Sequence, residues 1–177
     1  MKIADELVQI GSRFDEILGR PCFPVNMELL KTSGYYFHLI ETVVSNMIDQ
    51  LQIEFDDYPE LQGLSGANIG VPFNIVLIKT KDPERPIVML NPEIIDHSLT
   101  TKMVSSNCGS LNLPEAIKVE RYDWVKVKYY PFDRDDIEMA DSHDEYFQPT
   151  TKKFKTGTVQ HEIDHNKGIL ITDRSKQ

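Results

Sequence analysis

The 177-residue chain carries a formal net charge of -9 and no basic cluster, which argues against a generic nucleic-acid or anionic-membrane binder, since either needs Lys and Arg to neutralise phosphates. Two cysteines, Cys22 and Cys108, are too few for a disulfide scaffold. No apolar run approaches the ~20 residues that span a bilayer, and the start Met1-Lys2-Ile3-Ala4-Asp5-Glu6 turns acidic at once, so a soluble cytoplasmic protein without a signal peptide is the expectation.

No repeat, low-complexity tract or charged linker divides the sequence, and its length suits one hydrophobic core, so residues 1–177 are expected to form a single domain. Cys22, between two prolines in Arg20-Pro21-Cys22-Phe23-Pro24, reads as a small packed residue. From Tyr35 to Leu51, the residues Tyr36, Phe37, Ile40, Val43, Val44, Met47, Ile48 and Leu51 recur at three- and four-residue intervals, which predicts a long amphipathic helix with its aromatics in the core. Gly63 to Gly70 reads as a small-residue loop. Strands are expected at Phe73-Asn74-Ile75-Val76-Leu77-Ile78 and at Pro86-Ile87-Val88-Met89-Leu90. Trp124, Val125, Val127 and Tyr129, set against Lys126 and Lys128, read as a strand with one wet face. Asp133 to Asp136 and Asp141 to Glu145 read as solvated turns, and His97 and His143 receive no role. A helix, then strands, then a late helix predicts an α+β fold, with helices packed against mainly antiparallel sheet.

The late helix carries the chemistry, in Gln160-His161-Glu162-Ile163-Asp164-His165. Residues four apart share a helix face, so His161 and His165 can present nitrogens to one metal ion while Glu162 reaches its bound water. Such a trio also occurs as a solvated face or as satisfied core partners, but its surroundings favour a site. Pro149, Thr150 and Thr151 offer a break and an N-cap, Phe154, Thr158, His161 and His165 fall on one side, and Gly168 can end the helix before Ile169-Leu170-Ile171. A crowded metal face would favour the small Gly157 and Thr158 one turn upstream. Catalytic sites of this kind take three protein ligands and leave a position for water. Twelve residues follow His165, with Asp173 their sole carboxylate, so the third ligand is expected upstream, in Asn107-Cys108-Gly109-Ser110-Leu111-Asn112-Leu113-Pro114.

At these residues the chain resembles the peptide deformylases, metal-dependent amidohydrolases that remove the formyl group from the N-terminal methionine of new proteins. The similarity runs over nearly the whole length. The stretch from Gln160 to His165, with Gly168, Asp173 and Arg174 after it, matches the family's third motif fully. The first motif, Gly-x-Gly-Leu-Ala-Ala-x-Gln, corresponds to Gly63-Leu64-Ser65-Gly66-Ala67-Asn68 and onward to Val71, with Asn68 in place of the glutamine. The second, Glu-Gly-Cys-Leu-Ser followed by an apolar residue and Pro, aligns without gaps to Cys108 through Pro114, so that Ser110 takes the place of the ligand cysteine and Cys108 that of the glutamate. Gln9-Ile10-Gly11 through Leu18, Arg20, Pro24 and Val25 resembles the family's opening segment, and Asn91-Pro92-Glu93-Ile94-Ile95 the stretch ahead of its second motif.

The resemblance implies a peptide-deformylase-like α+β fold built around a metal-binding helix. It implies one divalent ion (Fe2+, Zn2+ or Ni2+) on His161, His165 and a third ligand. Two registers are open for that third ligand. Ser110 fills the slot when the motif is ungapped, and a neutral hydroxyl would bind the ion more weakly than a thiolate. Cys108 fills it if a local bulge carries the sulfur two residues along the chain. Glu162 would move the proton from water to the leaving amine, and the Asn68 amide with the Leu111 N–H would hold the oxyanion. Ile163 and the residues around Val71 are candidates for the methionine pocket. The implied partner is an N-formylated peptide or a related N-acyl substrate, with nascent chains at the ribosome as its source and no nucleic acid or membrane bound. A deformylase-fold protein that binds peptide N-termini with weak or no turnover is the alternative, favoured by the changes at Ser110, Cys108, Asn68 and Asn112.

Overall fold

The computed structural model describes residues 17–57, 62–79, 86–111, 113, 115–132, 143–147 and 156–175. Helix α1 (Met27–Thr32) is capped by Asn26, whose Oδ1 accepts from the Leu29 N–H. Helix α2 (Gly34–Asp57) follows directly and buries the face that its periodicity marks: Ile40, Val43, Val44, Met47 and Leu51 join one core with Leu64, Val71, Ile75, Leu77 and Leu90, while Tyr36, Phe37 and Ile48 pack against it.

Among the described residues the strands form two antiparallel sheets. The larger runs in the order β1 (Gly63–Ser65), β2 (Ile75–Ile78), β3 (Ile87–His97), β6 (Val125–Pro131) and β7 (His143–Phe147); the smaller pairs β4 (Thr101–Ser106) with β5 (Ile117–Tyr122). This is the α+β arrangement expected from the order of patterns. The Gly63 to Gly70 stretch, expected as a loop, instead supplies edge strand β1 and a 3-10 turn at Gly66–Ile69. His143 to Glu145, expected within a turn, belong to β7. The acidic run at 133–136 and the capping residues expected at 149–151 lie outside the described residues.

Asn91 explains why an Asn-Pro pair interrupts β3. It adopts a left-handed φ of 53°, its Oδ1 accepts from the Val25 N–H at 2.8 Å, and its Nδ2 donates to the Val25 carbonyl at 2.8 Å. The ladder with β6 shifts register there, as a bulge carrying a proline does.

Helix α3 (Thr156–Asn166) lies against β1, β2, β5 and the Gly66–Ile69 turn. Val159 and Ile163 face a second core with Val76, Ile78, Met89, Val125, Val127 and Tyr129. At 3.6 residues per turn, His161 and His165 stand about 200° around the axis from that pair, toward the small sheet. The helix ends two residues before Gly168, whose φ of 71° is a left-handed backbone suited to glycine. A short helix α4 (Ile171–Arg174) closes the chain's described part. Among the described residues, no helix is long and apolar enough to cross a membrane.

Candidate metal centre

Three side chains lock α3 in rotation and height. Gln160 bonds both backbone groups of Tyr122, accepting from its N–H at 3.0 Å and donating to its carbonyl at 3.1 Å, so the amide acts as an extra rung on β5. Asp164, buried, takes hydrogen bonds from the guanidinium groups of Arg121 and Arg174. Asn166 donates to Asn74 Oδ1 at 2.9 Å and to the Ile75 carbonyl at 3.0 Å, while its own carbonyl accepts from the Cys22 N–H at 2.8 Å. Cys22 is thus a packed strap residue, and burial pushes its thiol up to about 11.

With the helix held so, the two imidazoles meet edge to face, their Nε2 atoms 3.1 Å apart. Cys108 Sγ lies 3.4 Å from His165 Nε2, and the three donors all fall within 4.8 Å of one another. Tetrahedral bonds of about 2.0–2.1 Å to nitrogen and about 2.3 Å to sulfur require separations of roughly 3.3 to 3.6 Å. The two spacings at His165, 3.1 Å to His161 and 3.4 Å to Cys108, lie at or near that range. Burial, aided by the neighbouring imidazole and by Arg121, pushes His161 down to about 3; burial pushes His165 down to about 4. Both rings are therefore neutral at pH 7, the state a metal ligand needs. Burial and the nearby Glu162 push the Cys108 thiol up, against N–H groups of Leu111 and Ser110 and the Ser110 hydroxyl, which favour the thiolate. A divalent cation at the point of convergence would offset this cost of burying a thiolate, and one sulfur with two imidazoles forms a soft donor set.

Cys108, not Ser110, is brought to the histidines, the placement expected of the shifted register rather than the ungapped one. The displacement is not a strand bulge. Strand β4 stops at Ser106, and the chain from Gly109 to Leu111 coils into a 3-10 turn that takes up two more residues between cysteine and proline than the motif has. Ser110 Oγ instead accepts from Asn68 Nδ2 at 2.6 Å, and Asn68 Oδ1 accepts from the Ser65 N–H and hydroxyl. The Leu111 N–H, expected at the oxyanion, is turned back to the Cys108 carbonyl at 3.3 Å. A residue that follows the ligand directly is now Gly109, which is exposed with open space before its α-carbon.

Glu162 is buried one residue from His161, and its Cγ would lie 3.0 Å from a β-carbon on Gly63. Gly63 is thus the small residue that lets α3 approach, whereas Gly157, expected in that role, has open space beside it. Val71 and Ile163, expected near a methionine pocket, are instead buried in the two cores. Arg121 and Asn166 hold the helix without belonging to any motif of the sequence. Arg121 is buried on β5, in phase with Ile117 and Val119 and opposite the exposed Lys118 and Glu120, and its Nη2 has no hydrogen-bond partner among the described residues.

Fold and site define an α+β protein whose buried helix presents a soft-donor cation centre. Residues 8–177 match the family model of polypeptide deformylase. A peptide deformylase of Aquifex aeolicus (strain VF5) is 31% identical over 156 residues, covering 84% of this chain and 83% of the relative. The crystal structure of the class I type b peptide deformylase from Acinetobacter baumannii with Met-Ala-Ser bound superposes with a TM-score of 0.63 at 25% identity, covering 90% of this chain and 92% of that one. The peptide deformylase of Thermotoga maritima shares the fold with a TM-score of 0.67 at 23% identity, covering 92% and 93%. The chain belongs to the polypeptide deformylase family, and membership implies a metal-dependent hydrolase of deformylase type.

Proposed function

We propose that the protein removes the formyl group from N-formylmethionyl peptides, or hydrolyses a related N-acyl substrate, in the cytoplasm, as a single domain. His161, His165 and Cys108 would hold one divalent ion (Fe2+, Zn2+ or Ni2+), and Glu162 would be the proton carrier. The observation that carries this reading is the convergence of one sulfur and two neutral imidazole nitrogens beside a buried glutamate. When bound, the ion supplies a polarised water of lowered pKa. Glu162 would accept a proton from the attacking water as the water oxygen bonds to the formyl carbon, and would then give a proton to the leaving nitrogen as the C–N bond breaks, yielding formate and a free amine. The Gly109 N–H, next in the chain after Cys108, would take the place assigned to Leu111 at the developing oxyanion. Asn68 has a second amide hydrogen besides the one given to Ser110 and can add it there. The peptide bound in the Acinetobacter baumannii deformylase supports a methionyl peptide as the substrate class.

The engaged Asn68 and Leu111 donors favour, as a second reading, a protein that binds peptide N-termini with little turnover. Protein prepared anaerobically and loaded with one equivalent of metal is expected to release formate from formyl-Met-Ala-Ser, and Glu162→Ala is expected to keep the metal yet lose about 10²–10⁴ in rate. Loaded protein that binds Met-Ala-Ser but releases no formate from the formylated peptide would establish the second reading.

A further inference from the structure

We propose that Ser110 is a positioning residue for the oxyanion donor: its hydroxyl oxygen holds the Asn68 amide, so that the second amide hydrogen keeps one direction during turnover. This deepens the deformylase reading and rests on it.

The orientation of the amide follows from its fixed end. The Ser65 backbone N–H can only donate, so the Asn68 atom that faces it at 2.7 Å is the oxygen, and the Ser65 hydroxyl donates to the same oxygen at 2.6 Å. The Asn68 nitrogen then lies on the other side and donates to Ser110 Oγ at 2.6 Å. An amide group is planar. With its oxygen tied at one end and one hydrogen tied at the other, neither a flip nor a rotation is open to it, and the remaining hydrogen is fixed in the same plane.

The two anchors come from different walls of the centre. Ser65 precedes the 3-10 turn at Gly66–Ile69 that carries Asn68 and packs against α3, whereas Ser110 stands two residues after Cys108 in the turn at Gly109–Leu111. Asn68 therefore bridges the histidine side to the cysteine side. Its side chain has one rotatable bond fewer than the glutamine of the family motif, so it has less rotamer freedom to lose when held. The departures at Asn68 and Ser110 thus act together: one shortens the donor arm and the other secures its end. A donor fixed before the reaction needs no reorganisation as charge develops, which is the source of its effect.

Metal-loaded protein acting on formyl-Met-Ala-Ser provides the kinetic test. Asn68→Ala removes the donor and is expected to lose about 10²–10³ in kcat. Ser110→Ala only loosens the donor and is expected to lose about 10-fold in kcat with KM little changed, the mark of an interaction made in the transition state. Ser110→Thr, which keeps the hydroxyl, restores kcat, and the double Asn68→Ala, Ser110→Ala protein falls no further than Asn68→Ala alone. Each variant is expected to retain one equivalent of metal by elemental analysis. A second readout is independent of turnover. In isotope-labelled, metal-free protein, the side-chain amide signals that vanish in Asn68→Ala identify this group by magnetic resonance; Ser110→Ala is expected to speed their exchange with solvent and Ser110→Thr to leave it slow. An active protein whose kcat is unmoved in Ser110→Ala, or whose double variant falls well below Asn68→Ala, would overturn the positioning role and leave the deformylase reading standing. Loss of the metal in Ser110→Ala would do the same, by making Ser110 a support of the ligand turn. Loaded protein that releases no formate at all would overturn the deformylase reading and the positioning role with it.

Discussion

Helix α3 and the turn after β4 contribute to one centre, yet only the first is built in a way that sequence spacing reports. On a helix, positions four apart are neighbours because the backbone makes them so, and His161 and His165 fall 3.1 Å apart nitrogen to nitrogen with no help from the rest of the chain. In the turn, where each residue points depends on how the chain coils between β4 and β5. The 3-10 turn at Gly109–Leu111 leaves Cys108 at the histidines and turns Ser110 toward Asn68. Ligands on regular elements can be counted; ligands on loops have to be located.

Removing one donor from each region tests that they serve the same ion. His161→Ala and Cys108→Ala are both expected to abolish the bound equivalent of metal in protein purified without oxygen or chelators, as measured by elemental analysis. Retention of a full equivalent in either variant would show that the two regions do not share a ligand set. This is the largest effect expected.

Acid should act on the helix side of the centre. Both histidines are depressed in the folded protein, to about 3 and about 4, from an ordinary value of 6.5. Between those values and 6.5 the unfolded chain binds protons that the folded chain refuses, so the stability of metal-free protein is complete above about pH 6.5 and falls as pH drops toward 4. With two such groups the slope is on the order of 2 kcal/mol per pH unit. Chemical denaturation of chelator-treated protein across pH 4 to 7 measures it, and a flat profile would contradict the buried neutral imidazoles. The smallest effect concerns the contact behind Glu162. Gly63→Ala introduces a β-carbon 3.0 Å from both Glu162 Cγ and Thr158 Cγ2, at a cost of about 1–3 kcal/mol in denaturant unfolding. Unchanged stability would mean that β1 and α3 can part without loss.

Much of the fold was legible because its longest elements carry unbroken periods. The α2 face from Tyr36 to Leu51 and the alternation around Val125, Val127 and Tyr129 are fixed by residues whose burial the pattern alone demands. Strand β1 was not legible, since three residues in a Gly- and Ser-rich stretch show no alternation, and they pair only because β2 offers an edge. Gly63 and Gly157 look equivalent as letters, and only the approach of α3 to β1 separates them. The alternation of β5 puts Arg121 on the inner face with Ile117 and Val119, but its partner could not be read, since Asp164 lies 43 residues away in the chain.

The junction at Asn166 has a consequence for the order in which the molecule comes apart. One residue at the end of α3 joins the Cys22 segment, 144 positions earlier, and Asn74 just ahead of β2, 92 positions earlier, so three distant stretches share a single fastening. Closing such long loops adds little equilibrium cost, about 0.6 kcal/mol per doubling of length, but it delays the contact until the intervening structure is in place. The donor helix is then the last piece seated and, through the half-buried strap at Cys22, an early one to loosen. Amide exchange should register there before the sheet gives way, with the centre's lower end opening while its scaffold is still intact.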